Sequence, residues 1–417
     1  MIDIGLLRRD PIKVASLLKT RGVVFSANEF SRLDKKLRII QQEVEKLRSE
    51  KNILSKQIAS NKSKQLILKA KKIDVTLLKK EKELDYLLEE SLKITASLPN
   101  IPFEGVTVGP DEASNKVVKE VGKKSEFDFE PKDHIELGEK LGIINVRKAA
   151  EVSGSRFGYF LSDAVLLEFA LIRLAFDEAI NQGFLPVVPP VMIKPDVFEG
   201  MGRLAASQKE ERYYLPNDDL YLAGSGEHTM GPLHMNEIFN EKDLPKRYIG
   251  FSTCFRREAG SYGKDVKGML RVHQFDKVEM FVFSKPEFSE VEHQKLVALQ
   301  ERLMQKLELP YRVVEICTGD MGWTDAKAFD IETWLPFQQK YRETHSASNT
   351  SDFQSRGINV KYKRGDGKKE FVHMLNATAF AIGRTIITIL ENYQQKDGSV
   401  KVPEVLQDYV GKKVISK

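Results

Sequence analysis

Two long runs of heptad-spaced, mostly apolar residues constrain the fold of this chain more than any other feature. Side chains recur at alternating intervals of four and three from Leu33 to Ile58 and again from Leu66 to Leu98, with a short polar break between the runs. This spacing places one stripe of side chains along a helix, as in a coiled coil. No proline occurs in residues 28–98. The sequence therefore predicts an antiparallel two-helix hairpin, with helices of about 30 residues extending on the order of 45 Å.

Positive charge is concentrated in the same segment. Residues 28–98 contain 17 lysines and arginines against 11 aspartates and glutamates, which leaves the rest of the chain close to neutral. Around the predicted tip, residues 51–80 hold nine lysines and one acid, Asp74. A surface of this kind suits an RNA backbone, and a merely solvated face is the alternative. The candidate RNA contacts are Lys51, Lys56, Lys62, Lys64, Lys69, Lys71 and Lys72.

Composition narrows the class of protein. The chain has 417 residues, of which 41% are hydrophobic and 30% charged, and no apolar run approaches the roughly 20 residues that span a bilayer. The N-terminus lacks the apolar stretch of a secretion signal, so we expect a cytoplasmic protein without a membrane contact. Neither the two cysteines nor the seven histidines show a metal-ligand spacing. We therefore expect no zinc, and we expect Cys254 and Cys317 to be buried.

The rest of the chain predicts a second domain of α+β type. Prolines at 99 and 102 end the hairpin, which gives an N-terminal domain of residues 1–102 and a second domain of residues 103–417. Residues 163–182 have the pattern of an amphipathic helix. The strand predicted after Gly183 contains several prolines, which confine it to a sheet edge or a subunit boundary.

The segment from Cys254 to Glu279 predicts a strand, a loop and a second strand. It carries acids at both ends and six cationic side chains, namely Arg256, Arg257, Lys264, Lys267, Arg271 and Lys277. An anionic ligand that also carries hydrogen-bond donors fits this composition, and a nucleotide is such a ligand. A solvated, charged hairpin is the alternative on composition alone.

The order of residues in this segment resembles motif 2 of the class II aminoacyl-tRNA synthetases, in the form found in seryl-tRNA synthetases. Four further segments resemble that family in the expected order: 224–227, 330–336, 343–349 and 373–384. The helix and proline-rich strand after residue 163 resemble motif 1, the dimer-forming element. The resemblance spans nearly the whole chain. It implies an α+β fold, with a class II synthetase antiparallel β-sheet flanked by helices and preceded by an N-terminal antiparallel coiled-coil arm, and it implies a homodimer.

The resemblance also implies a site for ATP and Mg²⁺. Arg256 would bridge the α-phosphate and the amino-acid carboxylate, Arg384 would meet the far phosphates, and these two are the expected catalytic residues. Glu258 would accept a hydrogen bond from the adenine amino group, while Phe275 stacks on the ring beside Val272. Mg²⁺, a hard cation, would be held by Glu343 and Ser346. The full set implied for ATP is Arg256, Arg257, Glu258, Val272, His273, Gln274, Phe275, Glu343, Thr344, His345, Ser346 and Arg384.

Recognition of L-serine is implied for a second set of residues, namely Ser225, Gly226, Glu227, Arg256, Glu279 and Thr378. A small amino acid offers little apolar contact, so a pocket that bonds its hydroxyl is needed to reject alanine. Glu279 and Thr378 are the candidates for reading the hydroxyl and the ammonium. The chain departs from the family's usual Thr-Ala-Glu at 225–227, where it has Ser-Gly-Glu. The hydroxyl is kept and the loop gains a glycine.

Three functions are compatible with these features. The first is a ligase that activates serine with ATP and transfers it to the 3′ end of tRNA(Ser). The second is a paralogue that forms an aminoacyl-adenylate for another acceptor, and the basic hairpin argues against it. The third is a non-catalytic RNA-binding homologue, from which we would expect the loss of Arg256, Glu258, Glu343 or Arg384. All four are present, and the first function is our prediction.

Overall fold

The computed structural model describes residues 1–61, 63–259 and 268–417, with the side chains of residues 206 and 207 excepted. Lys62, one of the predicted RNA contacts, lies outside the described residues, and so do Lys264 and Lys267. The chain divides into two compact units, Ile2–Ile101 and Pro102–Lys417. They are called the N-terminal and C-terminal units below.

The N-terminal unit consists of helices, and two of them form the predicted hairpin. Its helices are α1 (Ile4–Arg9), α2 (Pro11–Thr20), α3 (Ala27–Ser60) and α4 (Lys64–Ala96). Ser26 begins α3 by accepting a hydrogen bond from the backbone N–H of Glu29, the usual role of a helix N-cap. The predicted heptad residues fill the seam between the long helices, where Leu37, Ile40 and Val44 pack against Leu77 and Leu87.

Polar residues at the seam are matched across the two helices. Lys51 pairs with Asp74 at 2.7 Å, and Lys80 pairs with Glu43 at 2.8 Å. The paired residue that comes later on α3 has the partner that comes earlier on α4, which confirms the antiparallel arrangement. Near the base, the buried carboxylate of Asp34 accepts from the guanidinium of Arg8 on α1 at 2.7 Å.

The C-terminal unit is built on a large sheet with helices against it. Its helices are α5 (His134–Leu141), α6 (Val146–Ser153), α7 (Asp163–Ile180), α8 (Pro195–Gly200), α9 (Ala206–Lys209), α10 (Glu227–Met230), α11 (Ser289–Lys306), α12 (Phe353–Ile358), α13 (Ile382–Asn392) and α14 (Glu404–Val410). The helix predicted over residues 163–182 is therefore confirmed as α7.

The strands of this unit are as follows: β1 (Lys116–Val121), β2 (Ile144–Asn145), β3 (Tyr159–Phe160), β4 (Leu185–Val187), β5 (Met192–Ile193), β6 (Tyr214–Leu215), β7 (Leu220–Leu222), β8 (Ile238–Asn240), β9 (Lys246–Phe255), β10 (Gln274–Ser284), β11 (Tyr311–Glu315), β12 (Lys327–Leu335), β13 (Lys340–Asn349), β14 (Lys361–Lys363), β15 (Lys369–Phe371), β16 (His373–Ala381), β17 (Val400–Lys401) and β18 (Val414–Ile415). Among the described residues, eight of them form the large sheet in the order β1-β11-β12-β13-β16-β10-β9-β4.

The predicted α+β class is confirmed. The neighbouring pairs of the large sheet are antiparallel, except that β4 lies parallel to β9 at one edge. The proline-rich segment therefore occupies an edge, as its missing backbone N–H groups predict. Helices α7, α11 and α13 contribute Leu171, Leu303 and Ile386 to the main hydrophobic core against the sheet.

Of the three irregularities in strand register that the described residues show in the large sheet, two determine which side chains share a face beside the cavities. One lies between β12 and β13, where Ile331 is opposite His345 but Glu332 is opposite Glu343, so that Thr344 is an extra residue. The other lies between β10 and β16, where the extra residue is Ala379. An extra residue reverses the alternation of side chains beyond it. No helix in the described part of the chain is long and apolar enough to cross a membrane.

Candidate active site

Two adjoining cavities open on one face of the large sheet, within the C-terminal unit. The first, of about 310 Å³, is lined by Phe275, Val272 and Leu270 among others. The second, of about 1110 Å³, is lined mainly by charged and polar residues, including Glu227 and Glu279. The residues common to both linings are Arg256, Glu258, Arg271, Lys277, Glu343 and Ser346. A ligand in either cavity would therefore contact the same shared wall, which is made of five charged residues and one serine.

Arg256 follows the end of β9 and is held in a fixed orientation. Its backbone N–H donates to the carbonyl oxygen of His273 at 2.9 Å, which continues the pairing of β9 with β10. Its Nε donates to the carbonyl oxygen of Gly224 at 3.0 Å, and its guanidinium lies 5.2 Å from the ring centre of Phe275. These interactions use one of five side-chain N–H donors and leave the terminal groups for a ligand.

Glu258 is held by a second arginine of the same segment. Its carboxylate lies 3.1 Å from Nε of Arg271. The backbone at Glu258 has φ of 51°, a conformation uncommon for residues other than glycine. The chain thus turns sharply where the carboxylate enters the cavity wall, and the turn comes just before the residues that the structure does not describe.

Arg384 lies in the first turn of the helix α13 and lines the first cavity. Its Nη1 donates to the backbone carbonyl of Glu343 at 2.9 Å and lies 3.3 Å from the carboxylate of the same residue. Burial raises the pKa of a carboxyl group, but Arg384 and Arg256 outweigh burial and hold the pKa of Glu343 below its ordinary value. Glu343 is therefore an anion beside two cations.

The bulge at Thr344 brings Glu343 and Ser346 to one face of β13. Residues three apart on a regular strand point to opposite faces, but the extra residue restores Glu343 to the side of Ser346. Both side chains consequently line the two cavities. Across from Ser346, burial and the nearby Glu343 raise the pKa of Asp330 well above its ordinary value.

Three side chains form a compact polar cluster in the second cavity. Nζ of Lys277 donates to Oγ of Ser225 at 2.8 Å, and Oγ of Ser225 donates to Glu279 at 3.2 Å. Lys277 also forms a direct ion pair with Glu279. Only 1% of Glu279 is exposed, and burial, which Lys277 only partly offsets, raises the pKa of its carboxyl group.

Glu227 occupies the second cavity with cationic and amide partners. Nε of Arg203 donates to its carboxylate at 2.8 Å, and Nε2 of Gln354 donates to the same oxygen at 3.2 Å. Burial would raise the pKa of Glu227, but the charges of Arg203 and Lys277 lower it. Glu227 is thus held ionised, whereas burial makes the charged form of the neighbouring Glu279 less favourable and its pairing with Lys277 compensates in part.

The bulge at Ala379 places Thr378 directly opposite Glu279 on the paired strand. Asn376 lies two residues earlier on β16, so its side chain shares the face of Thr378. Only 4% of Asn376 is exposed, and among the described residues its Nδ2 has no hydrogen-bond partner. The second cavity thus contains a buried amide donor available to a ligand.

Several residues predicted for the site lie behind the cavity linings. Nδ1 of His273 lies 3.0 Å from the carbonyl oxygen of Arg256, and Arg257 is tied through its backbone to Glu211. His345 is buried, with its Nδ1 2.8 Å from Oγ1 of Thr344 and its pKa lowered to about 4 by burial. Gly226 contributes backbone between Ser225 and Glu227. These residues support the wall, and a contact with ATP or serine stays a prediction for each of them.

Sequence reasoning counted Lys277 only among the cationic side chains of its segment, and it assigned no role to Arg203 or Asn376. The position of Lys277 was predictable, because residues 275, 277 and 279 are two apart along β10 and therefore point to the same face of the sheet. Asn376 likewise shares a face of β16 with Thr378, two residues later. Arg203 lies in a loop after α8 and meets Glu227 only through the tertiary fold, so no local pattern marks it.

A carboxyl pair lies beside the first cavity. Asp276 on β10 accepts a hydrogen bond from Oγ1 of Thr253 at 2.5 Å. Burial, together with the hydrogen bond and charge of Asp276, raises the pKa of Glu168 on α7 to about 8. Glu168 is therefore mostly protonated at neutral pH and can share its proton with Asp276.

The predicted RNA contacts of the N-terminal unit are mainly exposed. Lys56, Lys64, Lys69, Lys71 and Lys72 all have exposed side chains on α3 and α4. Within the described part of residues 51–80, ion pairs involve Lys51, with Asp74, and Lys80, with Glu43 and Glu83. The described surface near the tip thus keeps several cationic groups, among them Lys69, Lys71 and Lys72, for which the described residues of the arm show no ion pair.

In the described ranges, no cluster of three or more histidine, cysteine, aspartate or glutamate residues has the geometry to hold a metal ion. Cys254 and Cys317 are both buried free thiols, as predicted, and burial raises the pKa of Cys254 to about 11.

Two family models match the chain. The model described as tRNA synthetase class II core domain (G, H, P, S and T) matches residues 212–393. The model described as seryl-tRNA synthetase N-terminal domain matches residues 1–102.

Relatives match over the full length. The serine–tRNA ligase of Thermobifida fusca is 43% identical, over 100% of this chain and 99% of that protein. The crystal structure of seryl-tRNA synthetase from Pyrococcus horikoshii complexed with ATP has a TM-score of 0.93 at 40% identity, covering 100% of this chain and 99% of the other. The cytoplasmic serine–tRNA ligase from Naegleria fowleri in complex with AMP has a TM-score of 0.89 at 34% identity, with the same coverage of both chains.

Proposed function

This chain belongs to the seryl-tRNA synthetase family, and from that premise we propose how its residues perform the reaction of a serine–tRNA ligase. In the first step, a carboxylate oxygen of serine attacks the α-phosphorus of ATP, and the bond to the β-phosphate breaks to release pyrophosphate. In the second step, a hydroxyl of the terminal adenosine of tRNA attacks the seryl carbonyl, and AMP leaves.

The observation that carries the proposal is the position of Arg256 in the wall shared by the two cavities. Glu343 and Lys277 lie in the same shared wall, where Glu343 pairs with Arg384 of the first cavity and Lys277 pairs with Ser225 and Glu279 of the second. Two anionic reactants must meet for adenylate formation, so the protein has to supply position and preorganised positive charge. The adenine end of ATP is assigned to the first cavity, its phosphates to the shared wall of charges, and serine to the part of the second cavity around Ser225 and Glu279.

Arg256 is assigned to the reacting groups. Its Nε is fixed on Gly224, so the terminal N–H groups are aimed without a loss of side-chain freedom when the ligands bind. A planar guanidinium can bond an α-phosphate oxygen and a carboxylate oxygen at the same time, which a lysine ammonium does less specifically.

The other nucleotide contacts follow the linings of the first cavity. Phe275, with Val272 beside it, offers an apolar surface for the adenine ring. Glu258, held by Arg271, is assigned to accept from the adenine amino group. Arg384 supplies positive charge for the outer phosphates at the start of α13.

Mg²⁺ fits the residues present. The bulge at Thr344 presents the carboxylate of Glu343 and the hydroxyl of Ser346 from one face, and both are the oxygen ligands that Mg²⁺ prefers. One carboxylate is sufficient when substrate phosphates complete the shell. When bound, Mg²⁺ would neutralise phosphate charge during activation. Glu343 would then exchange part of its interaction with Arg384 for the metal ion.

Serine recognition is assigned to the second cavity and to Thr378, which lines the first cavity and lies opposite Glu279 on the paired strand. The ionised Glu227 suits the substrate ammonium, and the pair of Glu279 and Thr378 suits the hydroxyl group. Arrival of an ammonium would favour the charged form of Glu279 and so reverse the effect of burial on its pKa. Alanine has no hydroxyl group, so it would leave these buried polar groups without a hydrogen-bond partner and would bind less well than serine.

The arm and the assembly complete the proposal. The exposed lysines near the arm tip are assigned to the backbone of tRNA(Ser). A homodimer is supported by exposed apolar residues on α7 and the edge strand β4, where Phe169 is 64% exposed and Leu185 is 54% exposed. A cytoplasmic location follows from a role in protein synthesis.

The test is ATP–pyrophosphate exchange by the purified chain with serine, alanine, threonine or glycine. Exchange that depends on serine, followed by charging of tRNA(Ser), is the expected result. Exchange with another amino acid would contradict the assignment of Glu279 and Thr378. A folded protein without any exchange would instead favour a non-catalytic RNA-binding role.

A further inference from the structure

Two nearby peptide groups in the wall of the first cavity, Gly268–Met269 and Leu270–Arg271, are held by side chains from outside the segment. Met269 and Leu270 line that cavity just after the residues that the structure does not describe. The carbonyl oxygen of Leu270 accepts from Nε of Arg384 at 3.3 Å. The backbone N–H of Met269 donates to Nε2 of His134 at 3.3 Å.

His134 is itself anchored to the helix that carries Arg384. Its Nδ1 lies 3.0 Å from the carboxylate of Glu391, and the side chains of the pair are 5% and 0% exposed. Glu391 follows Arg384 by seven residues on α13, which is two helical turns, so both side chains leave the same side of the helix. One rigid helix therefore holds both peptide groups, one directly and one through His134.

The geometry requires one form of the imidazole. The N–H of Met269 needs a lone pair on Nε2, and the carboxylate of Glu391 needs a hydrogen on Nδ1. A carboxylate that fixes the tautomer of a histidine is a common way to orient the second ring nitrogen. The backbone at Gly268 packs closely against His134, because a Cβ added at Gly268 would lie 2.7 Å from Nε2 of the imidazole.

We propose that His134 and Glu391 are positioning residues for ATP. They hold the peptide at Met269 against α13, and this fixes the distance between the two walls of the first cavity. Glu391 has a second partner, the backbone N–H of Phe337 at 3.3 Å, which keeps its carboxylate in place. This inference rests on the proposed function, because it assumes that the first cavity takes ATP.

The experiment compares two substitutions of one residue. His134→Asn keeps a donor near the position of Nδ1 for Glu391 and removes the hydrogen bond to Met269. His134→Gln keeps an acceptor near the position of Nε2 for Met269 and removes the hydrogen bond to Glu391. Pyrophosphate exchange gives KM for ATP and for serine separately, and thermal unfolding of each variant reports its stability.

We expect His134→Asn to raise the KM for ATP about tenfold with little change in the KM for serine. His134→Gln should raise it by about threefold or more, because it breaks the other link of the same tie, the one between residue 134 and Glu391 on α13. Glu391→Gln keeps the shape of the pair and weakens the bond, so a rise of about threefold is expected; it also serves as the second variant if His134→Asn does not fold. The matched control is His373→Asn, since His373 bonds Oγ of Ser289 at 2.8 Å and lines neither cavity.

Three outcomes would overturn the inference. They are a parental KM for ATP in folded His134→Asn and Glu391→Gln, an equal rise in the KM values for ATP and serine, and the same rise in His373→Asn. Failure of the proposed function is a separate result, because the unsubstituted chain would then show no serine-dependent exchange.

Discussion

The arm and the two cavities both carry cationic side chains, but they hold them in opposite ways. On the arm, Lys69, Lys71 and Lys72 are exposed, and the nearest acid in sequence, Asp74, is bound to Lys51. In the cavities, Arg256 and Lys277 are fixed by defined partners. Exposed charges act through their sum and are screened by salt, whereas fixed and partly buried charges act through geometry.

This difference sets how each region should respond to substitution. A ligand on the arm loses a graded share of its affinity with each charge removed. The reaction in the cavities depends on several groups that act together, so the loss of one group removes most of the rate acceleration. Four variants test this contrast, one of which carries three substitutions.

The largest effect is expected for Arg256→Ala. The substitution removes the guanidinium that meets both reacting groups, and we expect pyrophosphate exchange to fall by about 10³-fold or more. Arg256→Lys is the matched variant, because it keeps the charge and loses the planar pair of donors. Exchange at the parental rate in either folded variant would contradict the assigned role of Arg256.

Glu279→Gln should have the next largest effect, on selectivity. The amide keeps the size of the side chain while it removes the charge that pairs with Lys277. We expect the preference for serine over alanine, measured as the ratio of kcat/KM in exchange, to fall by about 10²-fold. A preference equal to that of the parent would remove Glu279 from the selectivity argument.

Stability has to be measured in the same variant. Breaking a buried ion pair by losing one charge typically costs about 3–5 kcal/mol, because the other charge remains buried. A lower free energy of unfolding with intact selectivity would therefore assign Glu279 to structure alone.

The arm offers a smaller and graded effect. Replacing Lys69, Lys71 and Lys72 by alanine should leave exchange unchanged and raise the KM for tRNA(Ser) by roughly tenfold or more at moderate salt. For each phosphate that the arm no longer neutralises, the slope of log affinity against log salt should also fall by roughly 0.7–0.9. Loss of exchange in this variant would contradict the separation of activation from tRNA binding.

The matched control removes three cations that have acidic partners nearer the base of the arm. Lys36 lies 3.1 Å from Glu83, and Arg48 lies 2.7 Å from Glu81. Lys93 lies 2.9 Å from Glu89. The net charge changes by the same amount, so an equal rise in the KM for tRNA would show that total charge, rather than the unpaired lysines near the tip, governs binding.

The same contrast explains what the sequence could predict. The arm follows from a one-dimensional pattern, since heptad spacing and the absence of proline suffice to locate α3 and α4 within a few residues. The nucleotide and serine residues were identified by their order in a resemblance to a family. Their meeting in space depends on the bulges at Thr344 and Ala379, which shift the register without a local sequence signal.

Interactions between distant elements were beyond prediction for a similar reason. Arg203 reaches Glu227 from a loop, and His134 reaches Met269 from a helix 135 residues away. Each partner alone reads as an ordinary polar residue. Only the packing of α13 and the strands shows that these side chains are buried together.

The smallest effect is expected for Gly226→Ala, which tests the departure from the family's usual Thr-Ala-Glu. Gly226 has φ of −58° and ψ of −28°, which alanine adopts without strain. An added Cβ would lie 3.5 Å from Cβ of Glu279, from Cε of Met230 and from Cβ of Ser252, all ordinary van der Waals distances. Removing the backbone freedom of glycine should therefore stabilise the protein by about 0.4–1 kcal/mol.

Gly224→Ala, two residues earlier, provides the contrast. A Cβ there would lie 2.6 Å from Nη1 of Arg212 and 3.3 Å from the backbone oxygen of Phe255. Since Gly224 also accepts from Arg256, this variant should lose both stability and exchange activity. Chemical denaturation of the two variants gives the comparison. If Gly226→Ala also lowered the free energy of unfolding, residues 225–227 would tolerate an added Cβ no better than Gly224 does. The glycine at 226 would then be required by the structure of the site.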